Sequence, residues 1–185
     1  MQDYKDVLSE ILIDAESLQA RVKELGTQIS SDYINEDLLL ICILRGGVPF
    51  MVDLSRHIST PHMMDFMAVS SYGAGKREST GSARVTLDLQ TDIHGRNVLL
   101  VEDIIDSGHT IAAVLQMLET RQPKTLKVCA LLDKPERREA HVSVDYLGFT
   151  IPNKFVFGYG LDLDEYYRNL PFVGVVDLDK YKPSS

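Results

Sequence analysis

The sequence predicts an α/β fold built on a largely parallel sheet, and three observations carry that expectation. The first is a set of short, nearly continuous aliphatic runs at residues 38–44, 98–101, 126–132 and 172–176, the composition of strands buried on both faces. The second is that segments with helical apolar spacing separate several of these runs. The third is that polar stretches follow the runs, with glycines after those at 38–44 and 98–101, at the strand ends where open α/β sheets bind ligands.

Taken in order, the elements begin with residues 5–25. There Val7, Leu8, Ile11, Leu12, Ala15, Leu18, Val22 and Leu25 recur with the helical period and predict one amphipathic helix. A strand over 38–44 leads to a turn at Gly46 and Gly47 and a second helix over about 49–57. Residues 63–69 form another apolar run, and 70–82, rich in Gly and Ser, form a polar loop of a length often found in lids. Val85, Leu87 and Leu89 alternate as in a half-exposed strand. After the run at 98–101, Ile111, Val114, Leu115 and Leu118 mark a third helix, and the runs at 126–132 and 172–176 complete the sheet. Residues 180–185 read as a frayed tail, and neither an internal repeat nor a low-complexity tract interrupts the pattern.

Composition narrows the possible functions. A chain of 185 residues, 44% apolar and 25% charged, suits one globular domain able to bury a core without staples. Cys42 and Cys129 both lie inside apolar runs without a C-x-x-C partner or nearby His, so each is expected as a core residue and no disulfide is expected. The start, Met-Gln-Asp-Tyr-Lys-Asp, lacks the basic and apolar parts of a signal peptide, and no run approaches a bilayer span. A cytoplasmic location without membrane contact is expected. Nineteen basic against 27 acidic side chains give a net charge of −8, which argues against nucleic-acid binding. A polyanionic substrate would have to be met by a few placed cations.

Chemistry concentrates in residues 98–110, Val-Leu-Leu-Val-Glu-Asp-Ile-Ile-Asp-Ser-Gly-His-Thr. Carboxylates cannot stay ionised and unpaired in a core, so Glu102 and Asp103 belong at the end of the strand, holding something. Asp106 follows, and then Ser107, Gly108, His109 and Thr110 lead into the third helix. Small hydroxyls and a glycine before a helix N-terminus leave backbone N–H groups and the helix dipole free to hold a phosphate. Neither G-x-x-x-x-G-K-[ST] nor G-x-G-x-x-G is present. None of the five histidines stands in metal-site spacing or in a Ser-His-Asp arrangement.

This run resembles the ribose-phosphate motif of the type I phosphoribosyltransferases, which bind 5-phosphoribosyl 1-diphosphate (PRPP). The resemblance implies that Glu102 and Asp103 hold the ribose hydroxyls, that 106–110 hold the 5′-phosphate, and that Asp106 accepts a proton from the attacking base. It extends to three further segments. Arg45-Gly46-Gly47 resembles the pyrophosphate loop. Ser71-Tyr72 resembles the pair that opens the family's mobile loop, a cover that keeps water from an electron-deficient ribosyl centre. Lys134 stands directly after Leu131-Leu132, where 6-oxopurine members carry a lysine for the purine O6; Arg138 falls where they carry a further basic residue, and Arg137 is expected at the surface.

Residues 151–174 are similar to the purine hood of the hypoxanthine-guanine phosphoribosyltransferases. There Phe155 would stack on the base and Val156 would read its edge through the main chain. Asp162 would lie near base and metal, and Arg168 would meet pyrophosphate. Taken alone, 155–157 read as an ordinary core strand. The resemblance implies a fold with core over about 26–150 and 172–179 and a hood from about 1–25 and 151–171. It implies a Mg²⁺ ion near Glu102, Asp103 and Asp162, a homodimer or homotetramer, and the conversion of PRPP and hypoxanthine or guanine to IMP or GMP and pyrophosphate. Two alternatives stay open at this point: a xanthine-preferring enzyme, and a PRPP-sensing regulator of the same fold that binds nucleic acid.

Overall fold

The computed structural model describes residues 2–71 and 83–183. Its N-terminal segment departs from the single helix expected over 5–25 and divides into a short helix α1 (Tyr4–Val7), a strand β1 (Leu8–Ile13) and a long helix α2 (Ala15–Asp32). Asp14 explains the break: its Oδ1 accepts the Ser17 N–H at 2.8 Å, which starts a capped helix at that point. The preceding six residues find an antiparallel partner in Val173–Val176. Pairing with a distant strand overrides the local helical spacing. Beyond the cap the periodicity holds, and Leu18, Val22, Leu25 and Ile29 form the buried face of α2.

The expected aliphatic runs build a mostly parallel sheet. β2 (Leu38–Ile43) leads through helix α3 (Val48–His57) to β3 (His62–Ser71), and β4 (Ala83–Leu87) follows. β5 (Asn97–Ile105), helix α4 (His109–Glu119), β6 (Thr125–Asp133) and β7 (Tyr146–Thr150) complete it, in the spatial order β4-β3-β2-β5-β6-β7. All neighbouring pairs are parallel except β3 with β4, an antiparallel edge. Every residue of β2 is buried. Alternation sends Leu38, Leu40 and Cys42 into the cluster with α2 and α3, and Leu39, Ile41 and Ile43 into the one with α4. Both faces are therefore covered, as a parallel sheet requires. Cys42 and Cys129 are buried free thiols.

Val173–Val176 was expected in this sheet and lies elsewhere. As β9 it stands between β1 and a two-residue strand β8 (Val156–Phe157) in a small antiparallel sheet. A short apolar run reads the same in either kind of buried strand, so its burial was legible and its partner was not. The hood thus consists of α1, β1, β8, β9 and the loop between the last two, while α2 packs its buried face into the main cluster, where it also meets Val156, Val173 and Val175 of the hood.

The topology fixes where a ligand can bind. From β2 the chain winds outward to β3 and then returns to place β5 on the other side of β2, so the strand order reverses between β2 and β5. A crevice opens at the carboxyl ends of strands at such a point. Pairing of β2 with β5 ends at Cys42↔Val101, but β5 continues alongside β6 to Ile105↔Asp133. Residues 102–105 therefore rise beyond the end of β2 and face that crevice. Among the described residues no helix is long and apolar enough to cross a membrane.

Candidate active site

Glu102 and Asp103 stand side by side near the carboxyl end of β5, with their carboxyl groups close enough to share a hydrogen bond. Asp103 turns toward Gly46 and the Arg168 charge. Glu102 lines a cleft of about 400 Å³ together with Asp106, Ser107, Gly108 and Thr110. Burial pushes the Glu102 carboxyl well above the usual carboxylate range, and the neighbouring Asp103 charge adds to it. Asp103 is raised by burial too, in part offset by the N–H of Ile104 and by Arg168. Glu102 Oε2 is shut off from solvent and has no hydrogen-bond partner. Two carboxyl groups held this way are costly to keep charged unless a proton or a cation meets them.

The loop after β2 is tied to this pair. The turn expected at Gly46-Gly47 is present between β2 and α3, although neither residue has positive φ. Room is what they supply: a Cβ on Gly46 would lie 1.6 Å from Asp103 Oδ2, and one on Gly47 would lie 2.9 Å from Cys42 Sγ. Arg45, preceded by a cis peptide bond, projects beside them and is largely exposed.

Next to the acids, Ser107 and Gly108 form the N-terminal approach to α4. Gly108 occupies the left-handed region at φ 86°, and a Cβ there would come within 2.8 Å of the Ala140 carbonyl. No side chain caps α4, so its first N–H groups are left for a ligand. The Ser107 carbonyl accepts N–H bonds from Glu139 and Ala140 at 2.9 and 3.0 Å, which fixes the loop from behind. His109 does not turn into the cleft; its Nε2 lies 2.9 Å from Glu139 Oε2.

Asp106 stands between two cations. Lys134 Nζ is 3.5 Å from its Oδ2, and Arg137 Nε donates to its Oδ1 at 3.0 Å. Lys134 is 6% exposed, so it is a buried cation at the end of β6 and not part of a solvated charge run. Arg137, expected at the surface, is half-exposed but engaged with Asp106; sequence reasoning missed it because the two residues are 31 positions apart. Arg138 ion-pairs with Asp133 and packs under Gly108.

The hood closes the other side. Phe157 is fully buried, whereas Phe155 on the same strand approach is 47% exposed, so only the former behaves as an ordinary core residue. Val156 is buried in register with Val175. Arg168 donates to the Gly160 carbonyl at 2.8 Å and pairs with Asp162 at 2.8 Å. Gly160, at φ 101°, brings the hood against the Gly46 loop: a Cβ there would lie 1.9 Å from the Gly46 carbonyl oxygen. Asp162 is further occupied by the Glu165 N–H at 2.9 Å. Among the described residues Glu102, Asp103 and Asp162 do not come together as a three-ligand metal cluster. Ser71 is the last residue of β3, and Tyr72 lies outside the described residues.

This geometry agrees with what the chain is similar to. A family model described as "Phosphoribosyl transferase domain" matches residues 10–164. A hypoxanthine-guanine phosphoribosyltransferase of Mycobacterium avium is 48% identical over 185 residues, covering 97% of this chain and 91% of that protein. A hypoxanthine phosphoribosyltransferase of Escherichia coli strain K12 is 47% identical, covering 91% and 96%. The crystal structure of a hypoxanthine phosphoribosyltransferase from Staphylococcus aureus superposes with a TM-score of 0.93 at 41% identity and 97% coverage of both chains. The chain belongs to the phosphoribosyl transferase domain family, among its hypoxanthine-guanine phosphoribosyltransferases.

Proposed function

We propose that this protein transfers the 5-phosphoribosyl group of PRPP to hypoxanthine or guanine, releasing pyrophosphate and forming IMP or GMP in purine salvage. The observation that carries the proposal is the junction at the end of β5, where an acidic pair with one buried, unpartnered oxygen adjoins an uncapped helix N-terminus. Acceptors for ribose hydroxyls and donors for a phosphate stand side by side, as PRPP demands.

In this proposal Glu102 and Asp103 orient the ribose, and 106–110 hold the 5′-phosphate through backbone N–H groups. Arg45, Gly46 and Arg168 line the place of the pyrophosphate. A purine ring nitrogen forms its bond to C1′ while the C1′–O bond breaks with its electron pair going to pyrophosphate, and Asp106 takes the proton from the purine. Arg137, half-exposed on a three-residue turn (Pro135–Arg137), is the cation free to leave Asp106 as the base arrives. Lys134 donates to the 6-oxo group, Phe155 stacks on the ring, and Val156 presents its main chain to the base edge.

The acidic pair also fits a Mg²⁺ ion, because Glu102 Oε2 is buried without a donor. Such an ion takes one or two protein carboxylates and fills its remaining positions from substrate and water. Glu102 and Asp103 would hold it, with Asp162 nearby, and when bound it supplies positive charge to the leaving pyrophosphate. Exposed Met63 and Met64, on the half of β3 that β4 leaves uncovered, favour assembly as a homodimer or homotetramer.

The test offers purified protein PRPP, Mg²⁺ and each purine in turn while pyrophosphate release is followed. Release with hypoxanthine or guanine, its loss in excess chelator and its absence with adenine are expected. Release without any base, or full activity in chelator, refutes the proposal.

A further inference from the structure

One carboxylate in the hood sits where the proposed function puts a phosphate. Glu165 Oε2 lies 2.6 Å from Arg45 Nη2 and 3.4 Å from Arg168 Nη2, so a single oxygen bridges both guanidinium groups. That is how an oxygen of a diphosphate would be shared between them. The two arginines come from separate parts of the chain, the loop after β2 and the hood, and Glu165 joins them.

The backbone is shaped to hold this contact. Asp164, Glu165 and Tyr167 all have φ between 53° and 70°, a region costly for residues with a Cβ. The Asp162 carboxylate accepts the Glu165 N–H at 2.9 Å, which pins the residue within this turn. Yet the side chains of Arg45 and Glu165 are 67% and 60% exposed, and an ion pair in such contact with water is weak. The turn presents the carboxylate firmly, and the pair itself is easily exchanged.

We infer that Glu165 is a built-in counter-anion for the pyrophosphate site: it bridges Arg45 and Arg168 while the site is empty, gives way to pyrophosphate, and returns to help expel it. The inference rests on the proposed role of the two arginines in holding pyrophosphate. Glu165 does not bind substrate; it competes with it. Its presence lowers affinity for the diphosphate group and keeps the two cations aligned between turnovers.

The experiment measures Mg²⁺-pyrophosphate binding by calorimetry for the native protein and for the Glu165→Gln, Arg45→Ala and doubly substituted variants, with Tm as a check on folding. Glu165→Gln keeps the size of the side chain and removes its charge, so pyrophosphate should bind roughly two- to fivefold more tightly, the range of an exposed ion pair. Product inhibition by pyrophosphate should strengthen by the same factor. Arg45→Ala alone should weaken binding, and in that background Glu165→Gln should tighten it by less. A merely structural Glu165 would give equal or weaker binding on substitution, and that result overturns the inference while leaving the arginines' role intact. Arg45→Ala binding pyrophosphate as tightly as the native protein overturns both.

Discussion

Gly46→Ala tests the centre of this architecture with one added carbon. The new Cβ would stand 1.6 Å from Asp103 Oδ2 and 2.7 Å from its Cγ. Non-bonded contact needs roughly 3.5 Å, so a gap of about 2 Å must open. The loop cannot lift away to provide it, because Gly160 of the hood already approaches the Gly46 carbonyl so closely that a Cβ there would fall 1.9 Å from the oxygen. Asp103 must rotate instead, and the acidic pair separates.

A misplacement of about 1 Å in a reacting constellation can cost 10²-fold, so kcat/KM for PRPP should fall by at least about 10²-fold. The cost to folding is that of one overpacked site, about 1–3 kcal/mol, and Tm should drop by several degrees at roughly 2–4 °C per kcal/mol. Steady-state kinetics at varied PRPP, together with a thermal melt, reads both. A folded variant that keeps kcat/KM within threefold of the native value would refute the claim that Gly46 exists to make room for Asp103.

Four further outcomes follow from the same geometry. Asp106→Asn should lower kcat by roughly 10²- to 10⁴-fold while PRPP still binds through Glu102, Asp103 and the loop amides; single-turnover kinetics and calorimetry separate the two effects. Lys134 has only donors to offer a purine, so native protein should discriminate against adenine by roughly 10⁴-fold, and Lys134→Gln, which can also accept, should narrow the ratio of kcat/KM for hypoxanthine over adenine. Burial holds the Glu102 carboxyl well above its usual range, which costs folding free energy at neutral pH that the neutral amide of Glu102→Gln avoids, so the Tm of this variant without ligand should rise by a few degrees, corresponding to about 1 kcal/mol, while PRPP binding falls. Asp65 accepts N–H groups from Phe66, Gln90 and Thr91, and although burial pushes its carboxyl up, these bonds bring it below the usual value. The stability it confers is complete above about pH 4 and lost as pH falls through the depressed folded value; Asp65→Asn should cost about 1–3 kcal/mol at pH 7 and flatten that acid limb in a melt series.

What could be read in the sequence was what chemistry packs into short stretches of chain. Residues 98–110 place strand, acids, loop and helix start in immediate succession, so their arrangement needs little tertiary information. β2, β3, α3, β5, α4 and β6 appear where hydrophobic period and turn residues put them. The errors fall where a distant partner decides. Residues 8–13 carry helical spacing but pair with β9, more than 150 positions away, and the same contact draws β9 out of the main sheet.

The site shows the same division, and its cause is electrostatic. Lys134 was legible only through the resemblance, which puts a lysine directly after Leu131-Leu132; its burial against Asp106 comes from the fold. Nothing in local sequence says that Arg137 shares that anion, or that Glu165 bridges Arg45 and Arg168. Those pairings form because loops after β2, β5 and β6 converge with the hood at one strand-order reversal, bringing many like and unlike charges into a small crevice. Arg45, Arg168 and Asp106 each take a partner from within the chain, while Glu102 Oε2 is buried without one. Under the proposed function the acidic pair falls at the ribose and the carboxylate-held arginines at the pyrophosphate, so a metal-bound substrate would meet both at once: its cation would answer the acidic pair, and its diphosphate would displace the carboxylate that the arginines already hold.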